Sequence, residues 1–174
     1  YKPIMGDDST ETARKTYEIL KEEGVDKFII FGGNYMTDFL PPSKCWIVWD
    51  KIGTFNSNIF ADCELAWTSF DKPSRIVRYL WHGAYRMGNQ KDELKKRIHP
   101  TQKPVCMFVE IINRFTEPDS IILDPFGGSG STLIASEKTG RRCYMMELDP
   151  YYCDVIVKRW ETYTGQKAVK LDGN

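Results

Sequence analysis

One acidic residue and three glycines lie within one short segment, residues 124–130, with the sequence D-P-F-G-G-S-G. Three apolar residues that favour β-strands precede it, and a run typical of a helix follows it. This pattern predicts a buried strand that passes through a tight turn into the N-terminus of a helix. Gly127, Gly128 and Gly130 can adopt positive φ angles and let a ligand approach the backbone closely. The segment therefore predicts a ligand-binding turn of the nucleotide-binding type.

A second acidic residue, Glu147, ends the next predicted strand, 17 residues beyond Gly130. In nucleotide-binding α/β folds, the acid at the end of the strand after the glycine turn binds the ribose hydroxyls. Taken alone, a glutamate at a strand end is as often a surface or capping residue. Its combination with the glycine turn predicts the ribose-binding role.

Three kinds of ligand compete for this turn. A phosphate-binding P-loop carries a lysine after its last glycine, where this chain has Ser131. A dinucleotide-binding turn reads GxGxxG, whereas the spacing here is G-G-x-G. The carboxylate of Asp124 would repel a phosphate but attract a cationic group such as an α-ammonium. S-adenosylmethionine has that ammonium, a ribose and an adenine without a phosphate, so the residues favour it over the nicotinamide cofactor of a dehydrogenase.

The composition, with 41% apolar and 28% charged residues in 174, is that of an ordinary globular protein. No apolar run approaches the roughly 20 residues that span a bilayer, and no secretory signal opens the chain. Five cysteines and two histidines are scattered, without a CxxC pair. We therefore expect a cytoplasmic protein without a metal site.

Strands and helices alternate along the chain and must position these residues. Helices are predicted at residues 8–23, 105–115, 131–139 and 149–163. Strands are predicted at residues 28–31, 46–49, 62–67, 75–81, 121–124, 143–147 and 168–171. Residues 83–98 show no clear period and predict a surface loop. The alternation indicates an α/β protein with a parallel sheet.

A second motif precedes the glycine turn: residues 99–104 read H-P-T-Q-K-P. Together with residues 124–130, it closely resembles the DNA amino-methyltransferases, which modify adenine N6 or cytosine N4. The match is to the group in which the cofactor motif lies C-terminal to the catalytic motif, and phage and prophage members are the most similar. The segments F-G-G-N-Y (31–35), W-I-V-W-D-K (46–51) and D-C-E-L-A-W (62–67) resemble the middle region of that group.

The resemblance implies a doubly wound, mostly parallel sheet of the Rossmann-like methyltransferase fold, with circularly permuted strand order. Chain order supports the permutation, since only two predicted strands follow Asp124. The resemblance also implies S-adenosylmethionine as cofactor, with Lys103 able to meet its carboxylate. The cofactor-binding residues would be Thr101, Gln102, Lys103, Asp124, Phe126, Gly127, Gly128, Ser129, Gly130, Ser131, Thr132 and Glu147.

The catalytic tetrapeptide of that family is missing from the sequence. It consists of Asp, Asn or Ser, then Pro-Pro and an aromatic residue, whereas the only Pro-Pro here, Pro41-Pro42, has neither an acid before it nor an aromatic after it. The tetrapeptide accepts hydrogen bonds from the target amine and stacks on the extruded base. We therefore assign no catalytic residue, and expect an N-terminally truncated chain that lacks one central strand. A catalytically dead remnant that binds cofactor or DNA is the alternative.

We interpret residues 1–174 as one methyltransferase domain. Residues 1–70 would form strands of the catalytic half, residues 71–98 a basic insertion that faces DNA, and residues 99–174 the cofactor-binding half. Adenine N6 is the favoured target and cytosine N4 the alternative. A restriction endonuclease partner and a homodimer are both compatible with the family.

The net charge of zero conceals a basic segment. Residues 72–103 contain nine basic and two acidic residues, whereas residues 1–26 contain four basic and seven acidic ones. Aromatic residues are interleaved with the basic ones, which fits a surface that binds double-stranded DNA; a solvated face above ordinary core aromatics is the alternative. The candidate phosphate contacts are Arg75, Arg78, Arg86, Lys91, Lys95, Lys96 and Arg97.

Overall fold

The computed structural model describes residues 9–57, 59–82, 85–86 and 102–171. The chain divides into two compact units, Tyr1–Lys95 and Lys96–Asn174. No helix among the described residues is long and apolar enough to cross a bilayer.

The first unit is a helix packed on a four-stranded sheet. Its elements are α1 (Glu11–Glu22), β1 (Ile29–Phe31), β2 (Trp46–Asp50), β3 (Cys63–Thr68) and β4 (Arg75–Arg78). The strand order is β1-β3-β2-β4. A short ladder of β5 (Trp81–His82) and β6 (Tyr85–Arg86) follows. The strand predicted at 75–81 is therefore divided, and the predicted loop at 83–98 contains β6.

Apolar side chains of the helix and sheet make the core of this unit. Alternate residues of β2 are buried, with Ile47 and Trp49 facing the interior, as the period of a half-buried strand requires. Tyr17 of α1 packs edge-on against Phe28 and Trp67, with ring centroids 5.0 and 6.0 Å apart. The helix is thereby fixed on the sheet by one aromatic residue.

Pairing in this sheet differs from the expected, mostly parallel arrangement. Within the described residues, β3 runs antiparallel to both β1 and β2, and the β2–β4 ladder is parallel. The connection at 51–62 contains no helix or strand among its described residues and returns the chain as a hairpin, which makes β2 and β3 antiparallel neighbours.

The second unit consists of α2 (Val105–Phe115), β7 (Ile121–Asp124), α3 (Ser131–Thr139), β8 (Arg142–Met145) and α4 (Pro150–Thr164). The strands β7 and β8 are parallel, as predicted, and Asp124 lies opposite Met145. Buried residues of α2 and α3, among them Met107 and Ala135, form the core. The helix predicted at 105–115 is confirmed, but its buried residues are Met107, Ile111, Ile112 and Phe115, and of the apolar positions expected to face the core (105, 108, 109 and 112) only Ile112 is buried.

The C-terminal end departs from the predicted pattern. The prediction of a last strand at 168–171 is wrong. These residues form no strand, and Val169 and Leu171 are exposed. The N–H of Ala168 donates to Glu161 Oε1 instead, at 3.1 Å. A side chain of α4 therefore satisfies a backbone group that the prediction assigned to a strand ladder.

Candidate functional site

The glycine turn joins β7 to α3 in the conformation that its sequence predicts. Gly128 and Gly130 have φ angles of +53° and +75°, a region that side chains with a Cβ rarely adopt. The N–H of Gly127 donates to the carbonyl of Met146 at 2.8 Å, which joins the turn to the segment after β8. A Cβ at Gly127 would lie 2.7 Å from Met145 Cγ and Sδ. The predicted strand–turn–helix is confirmed.

The carboxylate of Glu147 is bound to this turn. Its Oε2 accepts from the N–H of Gly128 at 2.6 Å, and its Oε1 accepts from the N–H of Asp149 at 2.9 Å. Each carboxylate oxygen has two lone pairs, so the half-buried Glu147 can still accept hydrogen bonds from a ligand. The structure thus brings the predicted ribose acid to the predicted turn.

The second acid, Asp124, ends β7 on the other side of the turn. Its Oδ1 accepts from the N–H of Phe126 at 3.0 Å, which leaves Oδ2 as a further acceptor. The Phe126 side chain is exposed beside it. Since Glu147 already occupies the N–H of Gly128, a phosphate would meet two carboxylates where a P-loop offers free amides. The turn is suited to a neutral or cationic group.

The two serine side chains of the glycine turn point into the protein interior. Ser129 and Ser131 are buried, and their hydroxyls lie 3.2 Å apart. Arg159 of α4 donates to the Ser129 carbonyl at 2.8 Å and to both hydroxyls at 3.2 Å. The hydrogen bonds between Arg159 and the two serines therefore stabilise the turn. The sequence did not identify Arg159, because a single arginine in a helix carries no signal of a distant partner.

The second motif reaches the turn at Lys103. The Ser131 hydroxyl donates to the Lys103 carbonyl at 2.9 Å, across 28 positions of sequence. Gln102 beside it is buried, and Thr132 is half-buried at the start of α3. Thr101 lies outside the described residues. The structure thus joins the last residues of H-P-T-Q-K-P to the glycine turn.

Five of the predicted phosphate contacts belong to the first unit, whereas Lys96 and Arg97 belong to the second. Arg75 and Arg78 are exposed on β4, and Arg78 Nε lies 3.6 Å from Asp50 Oδ2. The described part of the chain does not include the side chain of Arg86 or the residues Lys91, Lys95, Lys96 and Arg97.

The Pro-Pro segment has a packing role. The carbonyl of Pro41 accepts a hydrogen bond from the Trp67 indole at 2.8 Å.

Cys143 lies on β8, the strand that pairs with β7. Among the cysteines of the described residues, it is the one whose thiol pKa is strongly shifted. Burial is the main cause and raises its pKa to about 11, from 9.0. A hydrogen bond with Ser136 opposes this shift, whereas the nearby carboxylates of Asp124 and Glu137 add to it. The thiol is therefore neutral at physiological pH and is not an activated nucleophile.

Comparison with known proteins agrees with this geometry. The sequence model of a family described as DNA methylase, with N6 and N4 members, matches residues 71–158, half of the chain. The chain belongs to this DNA methylase family. The match includes the glycine turn and Glu147, and it also includes Arg75 and Arg78.

Two type II methyltransferases are similar to this chain. M.HinfI of Haemophilus influenzae is 34% identical over 84 residues, which are 47% of this chain and 23% of that protein. M.ScaI of Streptomyces caespitosus is 34% identical over 74 residues, or 42% of this chain and 24% of that one. The matched segments thus span about a quarter of the length of these relatives.

A solved structure shows the fold. The structure of M1.HpyAVI in complex with S-adenosylmethionine is similar to this chain with a TM-score of 0.59 and 22% identity. The similarity covers 90% of this chain and 84% of that chain. The predicted α/β class and the Rossmann-like methyltransferase fold are therefore confirmed.

Proposed function

We propose that this chain binds S-adenosylmethionine at the glycine turn and serves the methylation of an exocyclic amine in double-stranded DNA. Adenine N6 is the favoured target and cytosine N4 the alternative, since the family includes both. The hydrogen bond from the N–H of Gly128 to Glu147 is the observation that carries the proposal. In a phosphate-binding turn such a backbone N–H would be available to a phosphate, whereas here it is bound to the Glu147 carboxylate.

The residues at the turn fit the functional groups of this cofactor. Glu147 would accept hydrogen bonds from the ribose hydroxyls, and Asp124 would attract the ammonium of the methionine part. Lys103 belongs to the motif at 99–104 and meets the turn through its carbonyl, which accepts from Ser131, and its ammonium would pair with the methionine carboxylate. Phe126, Gly127 and the backbone of residues 128–132 would line the site.

S-adenosylmethionine supplies an electrophilic methyl group on a sulfonium, and the protein has to hold that group in line with a poor nucleophile. An exocyclic amine is weak because its lone pair is delocalised into the base. Orientation therefore supplies much of the rate. In this chain, the hydrogen bonds from Gly128 and Asp149 fix the Glu147 carboxylate before a ligand arrives. The bound ribose would then have one orientation.

Calorimetric titration with S-adenosylhomocysteine tests the site. Glu147→Gln and Asp124→Asn should each weaken binding by about tenfold, the loss expected for one hydrogen bond to a charged group. Asp154→Asn, at an exposed carboxylate on α4, is the matched control and should bind as the unsubstituted protein does. Unchanged affinity in both site variants would contradict the proposal. Fluorescence titration with NADH tests the dehydrogenase alternative, which predicts saturable binding.

A second candidate function is cofactor or DNA binding without turnover. Binding requires the glycine turn, which residues 1–174 contain, and does not require the family's tetrapeptide. Transfer of a labelled methyl group to duplex DNA separates the two functions. Hydrolysis of the product to nucleosides then distinguishes N6-methyladenine from N4-methylcytosine.

The setting of this function is also a proposal. The two similar type II methyltransferases support a restriction–modification setting, with a restriction endonuclease as partner. A homodimer is compatible with it. All five cysteines are free thiols, which supports a reducing, cytoplasmic compartment.

A further inference from the structure

The connection between β2 and β3 carries apolar side chains that point away from the core. The exposed fraction is 94% for Ile59, 64% for Phe60 and 47% for Phe55. We call these three residues the apolar tip. Exposure of three large apolar residues so close in sequence is unusual for a monomer surface and indicates a contact with another molecule.

The connection is fixed at its base. Asp50 Oδ1 accepts from the N–H groups of Ile52 and Gly53 at 3.1 and 2.8 Å. The Lys51 N–H donates to the Asp62 carbonyl at 2.9 Å, and Ile52 is buried. Five backbone and side-chain groups near the ends of the connection are therefore bound, so the exposed position of the apolar tip follows from a fixed hairpin base.

The charge around the apolar tip suits a polyanion. Residues 51–61 contain one lysine and no acid. The first acid after the tip, Asp62, is directed inward: its Oδ2 accepts from the Ser57 hydroxyl, and its Oδ1 is buried with no hydrogen-bond partner among the described residues. A phosphate backbone would therefore meet no carboxylate at the tip itself.

The apolar tip extends from the edge of the sheet at which β1, β2 and β4 end. Tyr35 follows β1 at this edge with 78% of its surface exposed. Arg78 ends β4 there and Lys51 follows β2. Ligands of open α/β sheets bind beyond the carboxyl ends of the parallel strands. The tip and an exposed aromatic ring thus share the edge at which this fold binds its substrate with two cationic side chains, each of which is in an ion pair: Lys51 with Glu64 at 3.4 Å and Arg78 with Asp50 at 3.6 Å.

We propose that the apolar tip inserts between base pairs of the DNA and fills the space that an extruded base leaves. The inference rests on the proposed function. Extrusion of a base removes its stacking partners, and apolar side chains placed between base steps stabilise such an opened duplex. Ile59 and Phe60 are the most exposed members of the tip and would make this contact.

Binding to an opened duplex tests the inference without requiring turnover. Fluorescence anisotropy would compare a matched duplex with the same duplex carrying one abasic site, at one fixed salt concentration. The unsubstituted chain should bind the abasic duplex about tenfold more tightly than the matched duplex, because at an abasic site no base has to be unstacked before the tip can insert. Ile59→Ser with Phe60→Ser should reduce that preference to about twofold or less, while affinity for the matched duplex changes by less than about threefold.

The matched control replaces two exposed apolar residues of the other unit, Val169→Ser with Leu171→Ser, and should keep the full preference. An unchanged preference in the tip variant, or no preference in the unsubstituted chain, would overturn the inference while leaving DNA binding intact. Failure of the unsubstituted chain to bind either duplex would overturn the proposed function itself. Thermal unfolding of both double variants checks that the substitutions leave the fold unchanged.

Discussion

Arg159 donates a hydrogen bond from Nη1 to the carbonyl oxygen of Ser129 at 2.8 Å, across 30 positions of sequence. The same nitrogen lies 3.2 Å from the hydroxyls of Ser129 and Ser131. A guanidinium on α4 thus binds the glycine turn at Ser129 and Ser131, whereas the Glu147 carboxylate binds it at Gly128. The turn is therefore bound to two charged side chains that come from later in the chain.

Removal of the guanidinium should loosen the turn. Arg159→Met is expected to lower the free energy of unfolding by about 2 kcal/mol, because buried serine hydroxyls and a carbonyl lose a charged donor. Affinity for S-adenosylhomocysteine should fall about fivefold through the mobility of the turn. Hydrogen exchange of the amides at 127–131 measures that mobility directly. Lys158→Met, at the exposed neighbouring position, is the control, and equal exchange in the two variants would contradict the role of Arg159.

Two glycines should differ in their tolerance of a methyl group. A Cβ at Gly33 would lie 2.4 Å from Trp67 Cβ and 3.0 Å from its backbone nitrogen, and neither atom can move without the strand. At Gly127 the two nearest atoms, both at 2.7 Å, belong to the flexible Met145 side chain, and the Met146 carbonyl oxygen follows at 3.0 Å. Gly33→Ala should therefore cost about 3 kcal/mol or more in urea unfolding, and Gly127→Ala about 1–2 kcal/mol. Met145→Ala should partly rescue the second variant and have no effect on the first.

Cys143 should resist alkylation at neutral pH. Burial raises the pKa of its thiol to about 11, so the reactive thiolate is scarce below that pH. Labelling with iodoacetamide at pH 8, followed by mass spectrometry, should modify the exposed Cys106 first. Rapid labelling of Cys143 in the folded protein would contradict this prediction.

The same shift predicts a change of stability with pH. Between pH 9 and about 11, the unfolded chain loses the Cys143 proton that the folded chain keeps. The contribution of this thiol to stability is therefore complete below pH 9 and is lost as the pH rises to about 11. Cys143→Ala should have a flatter stability profile in this range. An identical profile in the variant would show that other groups cause any alkaline loss.

The exposed arginines of β4 should affect DNA binding through charge alone. If Arg75 contacts a phosphate, Arg75→Gln should reduce the slope of log affinity against log salt by about one. Arg78→Gln should reduce it less, because Arg78 already faces Asp50 at 3.6 Å. Anisotropy titrations at several salt concentrations measure both slopes. Lys167→Gln, at an exposed lysine paired with Glu161 in the second unit, is the control and should leave the slope unchanged.

The sequence by itself determined the elements whose signals are local. Gly128 and Gly130 permit the positive φ angles that the turn adopts, and the spacing of apolar residues over 105–115 predicts a helix with one buried face. Both follow from interactions between residues only a few positions apart. Local patterns also indicated that Glu147 ends a strand, and they include the motifs at 99–104 and 124–130, on which the resemblance to the family rests.

Only the tertiary structure decided which distant groups meet. It joined Glu147 to Gly128, Lys103 to Ser131 and Arg159 to Ser129. It also replaced the strand predicted at 168–171 with a segment bound to Glu161. Such contacts depend on the path of the chain between the partners, which no periodicity encodes. The sequence therefore specifies the shape of the turn, and the folded chain specifies the charges that surround it.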